Sequence, residues 1–381
     1  MEYKRPLKFE WICENLRNLV LLNDYQELEK LPSEEVLAKK YKCSRPTIRK
    51  ALEKLRNDGV IMKKQGSGSF INKNYLNSKE VTVETPTNAK CDSFMGLIFP
   101  NLGTRYVFDS ISNYVATYLA ESGYSLIWGG YLSPLSPTFM QEVSQICNRY
   151  IKLRVKGVFF SPFEYSEKKD EVNHFVLSTL SQAKIPVVLL DSDVDDFPQR
   201  NSFDLISLDH IAECYKLSSH LLDQGISRLI FFAPPSSMET IRLRLVGYHE
   251  AMIDHGIIPK KEYHVIMNPE DVLEVKKMFN TLDPEGIMCS NDGTAILLMR
   301  TLEKLNIRIP EQVLMAGFDN LSYLADIKIP LTSISQPVEA MGQLAVQAML
   351  QRIKNPNTPI ATVRLPGKMF IRQSSLKPKG N

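Results

Sequence analysis

Two rhythms of apolar residues run along the chain and divide it. Over residues 45–56, Ile48, Ala51, Leu52 and Leu55 recur at helical spacing and leave Arg45, Thr47, Arg49 and Lys50 on the opposite face. A shorter helix precedes it: Ser33 is a fitting N-cap, Glu34 and Glu35 sit in the first turn where the helix dipole favours negative charge, and Val36, Leu37 and Ala38 are expected to face inward. Ser44 is placed to cap the second helix, and Asn57-Asp58-Gly59 to stop it. Two short strands follow, Val60-Ile61-Met62 and Ser69-Phe70-Ile71. Between them Lys63-Lys64-Gln65-Gly66-Ser67-Gly68 forms a glycine-bearing tip with two cations. Upstream, Phe9, Ile12, Leu16, Val20 and Leu21 predict a first helix over residues 8–23, with Trp11 assigned to the core.

From residue 74 to 93 both rhythms stop. The stretch is polar and mixed, with Pro86 and few large apolar residues, and reads as a linker extended around Val81-Thr82-Val83. From Phe94 onward, short apolar runs alternate with helical patterns. Strands are predicted at 95–99, 125–128, 157–160, 186–190, 205–208, 228–232, 263–267, 286–289 and 313–318. Helices are predicted at 107–121, 139–151, 172–182, 211–224, 243–255, 269–281 and 293–305. Such alternation predicts parallel, doubly wound sheets, and the length suits two Rossmann-like lobes with a cleft between them. The expected organisation is an α+β head over residues 1–73, a linker over 74–93 and an α/β body over 94–381.

Composition sharpens this division. The 381 residues leave room for two or three domains, and the net charge of +3 hides an asymmetry. Residues 1–75 carry 16 basic and 10 acidic side chains, whereas the rest carry 30 and 33. The basic excess lies where a nucleic-acid reader needs it. The six cysteines include no CxxC pair, and the six histidines no HExxH, so neither a metal nor another cofactor is expected. No apolar run is long enough to span a bilayer and residues 1–10 are charged and polar, which predicts a cytoplasmic protein without a membrane partner. There is no P-loop, no Ser-His-Asp set and no spaced pair of catalytic carboxylates, so an enzyme is not expected.

Two helices followed by a basic glycine wing are the layout of a helix-turn-helix that reads double-stranded DNA. The recognition helix would set Ser44, Arg45, Thr47, Arg49 and Lys50 against bases and phosphates. The tip, with Gln65, Gly66 and Ser67, suits close approach to the backbone or minor groove. In the body, Asn101, Asp191, Asn291, Asp292 and Asp319 stand just beyond strand ends, where ligands bind in open α/β sheets, and Arg244 follows near the start of a helix. Carboxylates, amides and a guanidinium together suit a ligand rich in hydroxyls, with Tyr106, Phe108 or Trp128 to stack on a sugar ring. Each carboxylate also has a simpler use, as a helix cap or turn former. The run Asp191-Ser192-Asp193-Val194-Asp195-Asp196 is similar to half a calcium loop, but Asp196 stands where glycine is needed and Ser202 where glutamate is.

The head resembles the winged-helix domain of GntR-type bacterial regulators. The likeness is carried by Leu31-Pro32-Ser33-Glu34, Leu37-Ala38, Ser44-Arg45, Thr47-Ile48-Arg49, Ala51-Leu52, Leu55, Gly59, Gly66, Gly68 and Phe70-Ile71. One departure is Glu35, where that family often carries an arginine to phosphate. Residues 94–376 resemble the effector domain of LacI/GalR-type regulators, on Gly96-Leu97-Ile98-Phe99-Pro100, Ile185-Pro186-Val187-Val188 with Asp191, Arg244-Leu245-Val246-Gly247-Tyr248 and Ser290-Asn291-Asp292. Ile309-Pro310, Gly317-Phe318-Asp319-Asn320, Leu331-Thr332, Gln336-Pro337 and Met341-Gly342 extend the match. This resemblance implies a type I periplasmic-binding-protein fold, sugar contacts at Asp191, Arg244, Asn291 or Asp292, and Asp319, and a homodimer. It also implies about three crossings between lobes, with lobe one at 94–202 plus a helix near 338–352, and lobe two at 203–333 plus the tail. A GntR head on a LacI-type body is the layout of the arabinose-responsive AraR-type regulators. The expectation is therefore a repressor of carbohydrate-use genes released by a small sugar. Two rivals are weaker: a pyridoxal-phosphate fusion enzyme, for which no Schiff-base lysine is found, and a transport-type sugar-binding protein, against which the basic head and missing signal peptide argue.

Overall fold

Strands that are apolar at every position must be covered on both faces, and the body of the protein is built around two sheets whose central strands are of this kind. The computed structural model describes residues 31–40, 43–64, 68–71, 93–100, 106–133, 136–164, 168–235 and 239–378. The helix expected at 8–23, Trp11, the linker, Asn101 and the wing-tip residues Gln65, Gly66 and Ser67 lie outside these. The chain divides into two compact units between residues 90 and 91.

In the first unit, α1 (Glu34–Lys40) and α2 (Arg45–Asn57) pack around Leu37, Ile48, Ala51 and Leu55, all fully buried, with Val60 and Ile61. Val36 turns outward instead, 53% exposed. Three successive residues sweep more than half of a helix circumference, so Val36, Leu37 and Ala38 cannot share one narrow inward face. Ser33 caps α1, accepting from Val36 N–H at 3.4 Å. Ser44 precedes α2 in extended conformation, but its side chain makes no capping bond; its Oγ lies 2.8 Å from Thr47 Oγ1. Gly59, at φ 74°, ends the turn after α2 where a β-carbon would be strained. Strands β1 (Ile61–Lys64) and β2 (Gly68–Ile71) pair antiparallel, with Ile61 opposite Ile71 and Lys64 opposite Gly68.

In the second unit, lobe one holds a six-stranded sheet in which all neighbouring strands run parallel. Its strands are β3 (Phe94–Ile98), β4 (Ser125–Trp128), β5 (Val158–Phe160), β6 (Val187–Leu190), β7 (Asp204–Leu208) and β13 (Thr362–Leu365), in the order 13-7-6-5-3-4. The period of two sorts their side chains between layers. Val158, Phe160, Val187 and Leu189 meet α4 (Phe139–Lys152) and α5 (Lys169–Gln182). Phe159, Val188, Leu190 and Ile206 meet α3 (Tyr106–Glu121) and α10 (Val338–Lys354). Phe108 belongs to this second layer, 4% exposed and 5.6 Å from the Phe99 ring, so it fills core and is no platform for a sugar. Trp128 remains 45% exposed at the carboxyl end of β4.

Lobe two carries a parallel four-stranded sheet in the order 11-10-8-9, from β8 (Leu229–Ala233), β9 (His264–Ile266), β10 (Gly286–Cys289) and β11 (Leu314–Ala316). Its helices are α6 (His210–Leu222), α7 (Glu239–Asp254), α8 (Val272–Leu282) and α9 (Asp292–Lys304), and a small antiparallel pair adds β12 (Ser333–Ser335) and β14 (Lys368–Phe370). Helix α8 starts later than the pattern predicts because Asp271 accepts from Leu273 and Glu274 N–H and sets the cap there.

The chain passes between the lobes after β7, after β12 and after β13. The expected division is corrected here: β7 belongs to lobe one, where Leu190 pairs with Ile206, and so does β13, where Leu365 pairs with Leu208. A parallel neighbour on each side outweighs the sequence rhythm, which made 205–208 look like the first strand of a new set. Arg352, on α10, grips Asp204 with two bonds of 2.9 Å and locks that arrangement at the base of β7.

Candidate functional site

The outer face of α2 holds the residues expected to read DNA. Arg45, Arg49 and Lys50 are exposed and Thr47 is half-buried, while Ile48 and Ala51 anchor the other side. Thr47 and Ser44 hold one another's hydroxyls. Arg49 is joined to the first helix: its Nη2 meets Glu34 Oε2 at 3.1 Å and its Nε meets Glu34 Oε1 at 3.5 Å. Glu34 thus fixes the direction of an arginine that remains 58% exposed. The first residues of α2 carry no acidic side chain, so the positive end of its dipole is left for an anion.

In the body, four segments bring charged groups together between the lobes. Asp191 follows β6 and Asp319 follows β11; both adopt left-handed backbone, at φ 72° and 109°, which non-glycine residues hold only where surroundings enforce it. Arg244 lies in the second turn of α7, deeper in the helix than the sequence suggests, because α7 begins at Glu239. It is 3% exposed. Its Nη1 donates to the Ser290 carbonyl at 2.6 Å, its Nη2 lies 3.6 Å from Asp319 Oδ1, and its guanidinium carbon sits 3.8 Å over the Phe318 ring. Nε donates to His210 Nδ1 at 3.3 Å, and His210 Nε2 lies 3.6 Å from Asp191 Oδ1. Gly247 permits this: a β-carbon there would come within 2.1 Å of the Ile211 carbonyl, so only glycine lets α7 ride on α6 and bring Arg244 to His210.

The neighbouring carboxylates divide the work. Asp292 is fully buried and accepts from Ser333 Oγ at 2.7 Å and Leu321 N–H at 2.9 Å, tying the 319–321 turn to β12. Gly317 leaves room for it; a β-carbon would meet Asp292 Oδ1 at 2.3 Å. Burial first, and the Asp319 charge second, push the Asp292 carboxyl up to about 8. Burial also raises Asp319, against the pull of Arg244. Asn291 uses its carbonyl oxygen to cap α9, accepting from Thr294 N–H at 2.8 Å. The geometry therefore brings Asp191, Arg244 and Asp319 together, sets Asp292 beneath them as a brace, and gives Asn291 the capping use that strand-end residues often have. Tyr106 opens α3.

Sequence reading missed three partners. His210 is 1% exposed between Asp191 and Arg244. Gln336, at a crossing, donates to Asp319 Oδ1 at 2.9 Å. Glu239 Oε1 accepts from Phe197 N–H at 2.7 Å while Arg242 Nη2 donates to the Phe197 carbonyl at 2.8 Å, so the start of α7 on lobe two clasps the loop after β6 on lobe one. For Gln336 the signal was its place beside Pro337 at a break between a strand and a helix; for the others no local pattern existed. A cavity of about 30 Å³ lies beside this clasp, lined by Asp191, Arg200, Ser207, Glu239, Leu243 and Arg364 among others. Cavities of about 620 Å³ also occur away from these groups, one around α9 and one at the base of β6. Asp193 is held by Asn201 Nδ2 and by Asp195 N–H, so the acidic run after β6 is a closed turn. Among the described residues no group of three or more His, Cys, Asp or Glu is placed to hold a metal, and no helix is long and apolar enough to cross a membrane.

A winged reader and a two-lobed binder on one chain define a ligand-controlled regulator, and comparison with known families agrees. Residues 9–71 match the gntR family of bacterial regulatory proteins, and residues 218–375 match a periplasmic binding protein-like domain. The chain is thus a fusion of a gntR-type DNA-binding head and a periplasmic-binding-protein-like body. It is 24% identical over 384 residues to the arabinose metabolism transcriptional repressor of Geobacillus stearothermophilus, covering 98% of this chain and 99% of that one. The protein of the same description from Halalkalibacterium halodurans is 24% identical and is covered to 89%, with 91% of this chain aligned. Among solved structures, a LacI family transcriptional regulator from Enterococcus faecium with bound ribose matches at TM-score 0.60 and 21% identity, over 75% of this chain and all of that one. The complex of transcriptional regulator CelR with cellobiose matches at TM-score 0.64 and 18% identity, over 90% of this chain and all of the other. These likenesses show the type I periplasmic-binding-protein fold for the body.

Proposed function

We propose that the protein is a repressor of carbohydrate-use genes, released from its operator by a small sugar held between the two lobes. The observation that carries this is the meeting of Asp191 from lobe one with His210, Arg244 and Asp319 from lobe two, a set of oriented donors and acceptors with little water around it. Two carboxylates, Asp191 and Asp319, against one arginine favour a neutral, hydroxyl-rich ligand over a phosphorylated one. Two relatives are named for repression of arabinose metabolism, and two similar structures hold ribose and cellobiose.

In this reading residues 1–73 are the DNA-binding head, 74–93 the linker and 94–381 the effector and dimerisation body. Ser44, Arg45, Thr47, Arg49, Lys50 and the wing tip contact DNA. The working form is a cytoplasmic homodimer whose heads read two half-sites in adjacent major grooves, and it catalyses no reaction. Sugar binding favours one lobe arrangement, and it shifts DNA affinity only as far as its preference for that arrangement allows.

The test is a thermal-shift screen of the full chain against pentoses, hexoses, deoxyhexoses and their phosphates, followed by fluorescence anisotropy on operator DNA. The expected result is a raised melting point with a neutral sugar, pentoses foremost, and release of DNA by that same sugar. A panel without one hit, or a hit that leaves DNA affinity unchanged, would sink the reading.

A further inference from the structure

His210 is the first residue of α6, two positions past the end of β7, where the chain first leaves lobe one for lobe two. Its ring touches both sides of the cleft: Nδ1 meets Arg244 Nε on lobe two at 3.3 Å, and Nε2 faces Asp191 Oδ1 on lobe one at 3.6 Å. The chemistry of Arg244 fixes its tautomer. A guanidinium Nε has a hydrogen to give and no lone pair, so Nδ1 accepts. In a neutral ring the proton then sits on Nε2 and points at the Asp191 carboxylate. The separation there is slightly longer than a hydrogen bond, and closure of the lobes by less than about 1 Å makes it one.

We infer that His210 is a positioning residue for the effector: it orients the Arg244 guanidinium of lobe two and offers a donor to Asp191 of lobe one, so that the two effector contacts come into register together as the lobes close. This rests on the sugar-effector reading above. The remaining restraints on Arg244, at Ser290, Asp319 and Phe318, all lie on lobe two, so His210 gives Arg244 its link to lobe one.

The role demands a neutral ring. Protonation would replace the Nδ1 lone pair by an N–H aimed at Arg244 Nε–H and set two cations side by side. The charged groups around the ring are Asp191 beyond β6, Arg244 on α7 and Asp319 beyond β11. Burial outweighs the two carboxylates and holds the imidazole below its ordinary range. Neutral His210 therefore prevails at pH 7, and effector affinity is lost as pH falls through that depressed value.

The experiment is calorimetric titration of the full chain between about pH 5 and pH 8, with L-arabinose first and then whichever sugar of the panel binds. It compares the wild type with His210→Phe and His210→Asn. His210→Phe keeps a flat ring but no acceptor, and should weaken sugar binding by about 10- to 100-fold, the usual cost of leaving buried partners unpaired. In His210→Asn the amide oxygen accepts from Arg244 in place of Nδ1. Its shorter side chain brings no donor to Asp191, so it should bind more weakly than wild type but more tightly than His210→Phe at neutral pH, and it should lose the acid limb, a change that a merely structural role would not produce. If His210→Phe fails to fold, the pH profile of His210→Asn decides. Wild-type affinity in His210→Phe, or an unchanged acid limb in His210→Asn, overturns the inference alone. A wild type that binds no sugar of the panel overturns the sugar reading and this inference with it.

Discussion

The head and the body hold their arginines in opposite ways. Arg49 of the head is 58% exposed, and its pairing with Glu34 is a surface contact. Arg244 of the body is 3% exposed and meets His210, Ser290, Asp319 and Phe318 at once. In the proposed reading the difference follows from what each must attract. DNA is a long polyanion whose counterions are released on contact, so solvated cations on a protruding helix suffice for affinity, and side-chain geometry adds sequence preference. A small neutral sugar brings no such drive. It is selected by groups already stripped of water and already aimed, which lose most when their partner is absent.

The largest effects should come from breaking the buried set. Arg244→Ala leaves Asp319 and His210 facing an empty space and should cost about 3–5 kcal/mol, as for other buried pairs with one partner removed. Calorimetry should show loss of sugar binding, while anisotropy shows DNA binding retained and no longer released by sugar. Release at the wild-type sugar concentration would remove Arg244 from the site. Arg352→Ala sharpens the comparison, since Arg352 is only 13% exposed and grips the buried Asp204, but away from the cleft. A similar cost of about 3–5 kcal/mol should appear in thermal melting instead, with the order of preference among sugars unchanged.

Substitutions on the exposed side should matter less and elsewhere. Arg45→Ala and Arg49→Ala should each weaken operator binding about 10- to 100-fold and relax preference at one base position, with sugar affinity untouched. A uniform loss across all DNA sequences would assign the arginine to phosphate instead, and the slope of affinity against salt would then fall by about one. The smallest effect is expected at Arg242→Ala. Its side chain is 48% exposed and helps hold the 191–203 loop to α7, so its loss should raise the sugar concentration for half-release less than about tenfold. A larger change would make this clasp, rather than Arg244, the chief determinant of closure.

The same contrast explains what could be seen in the sequence. The head's proposed reading face comes from one stretch of seven residues, Ser44 to Lys50, and helical spacing alone separates Ile48 from Arg45, Thr47 and Arg49. Nine of the body's strands were legible as short apolar runs, whereas β12, β13 and β14, interrupted by Ser333, Thr362, Arg364 and Lys368 among others, were missed. Its site was legible only in part. Asp191, Arg244 and Asp319 stand out as polar residues beyond strands or in a helix, but nothing local distinguishes them from Asn291, which caps α9, or Asp292, which braces the floor. His210 and Glu239 acquire their meaning only from groups 19 to 42 positions away, and the lobe to which β7 belongs is decided by its neighbours in the sheet. Periodicity reports which side of an element is dry; it does not report what lies across from it.

The three passages of the chain between the lobes have a consequence for the gene. Since β13 completes the sheet of lobe one and β14 pairs with β12 on lobe two, each lobe is stitched from segments far apart, and no single cut frees either one whole. A stop codon placed after Pro337 would take α10 and an edge strand from the first lobe and a strand from the second. The body therefore has no separable sensor half to inherit, lose or trade in pieces, and recombination can exchange it only as an entire cassette behind a different head.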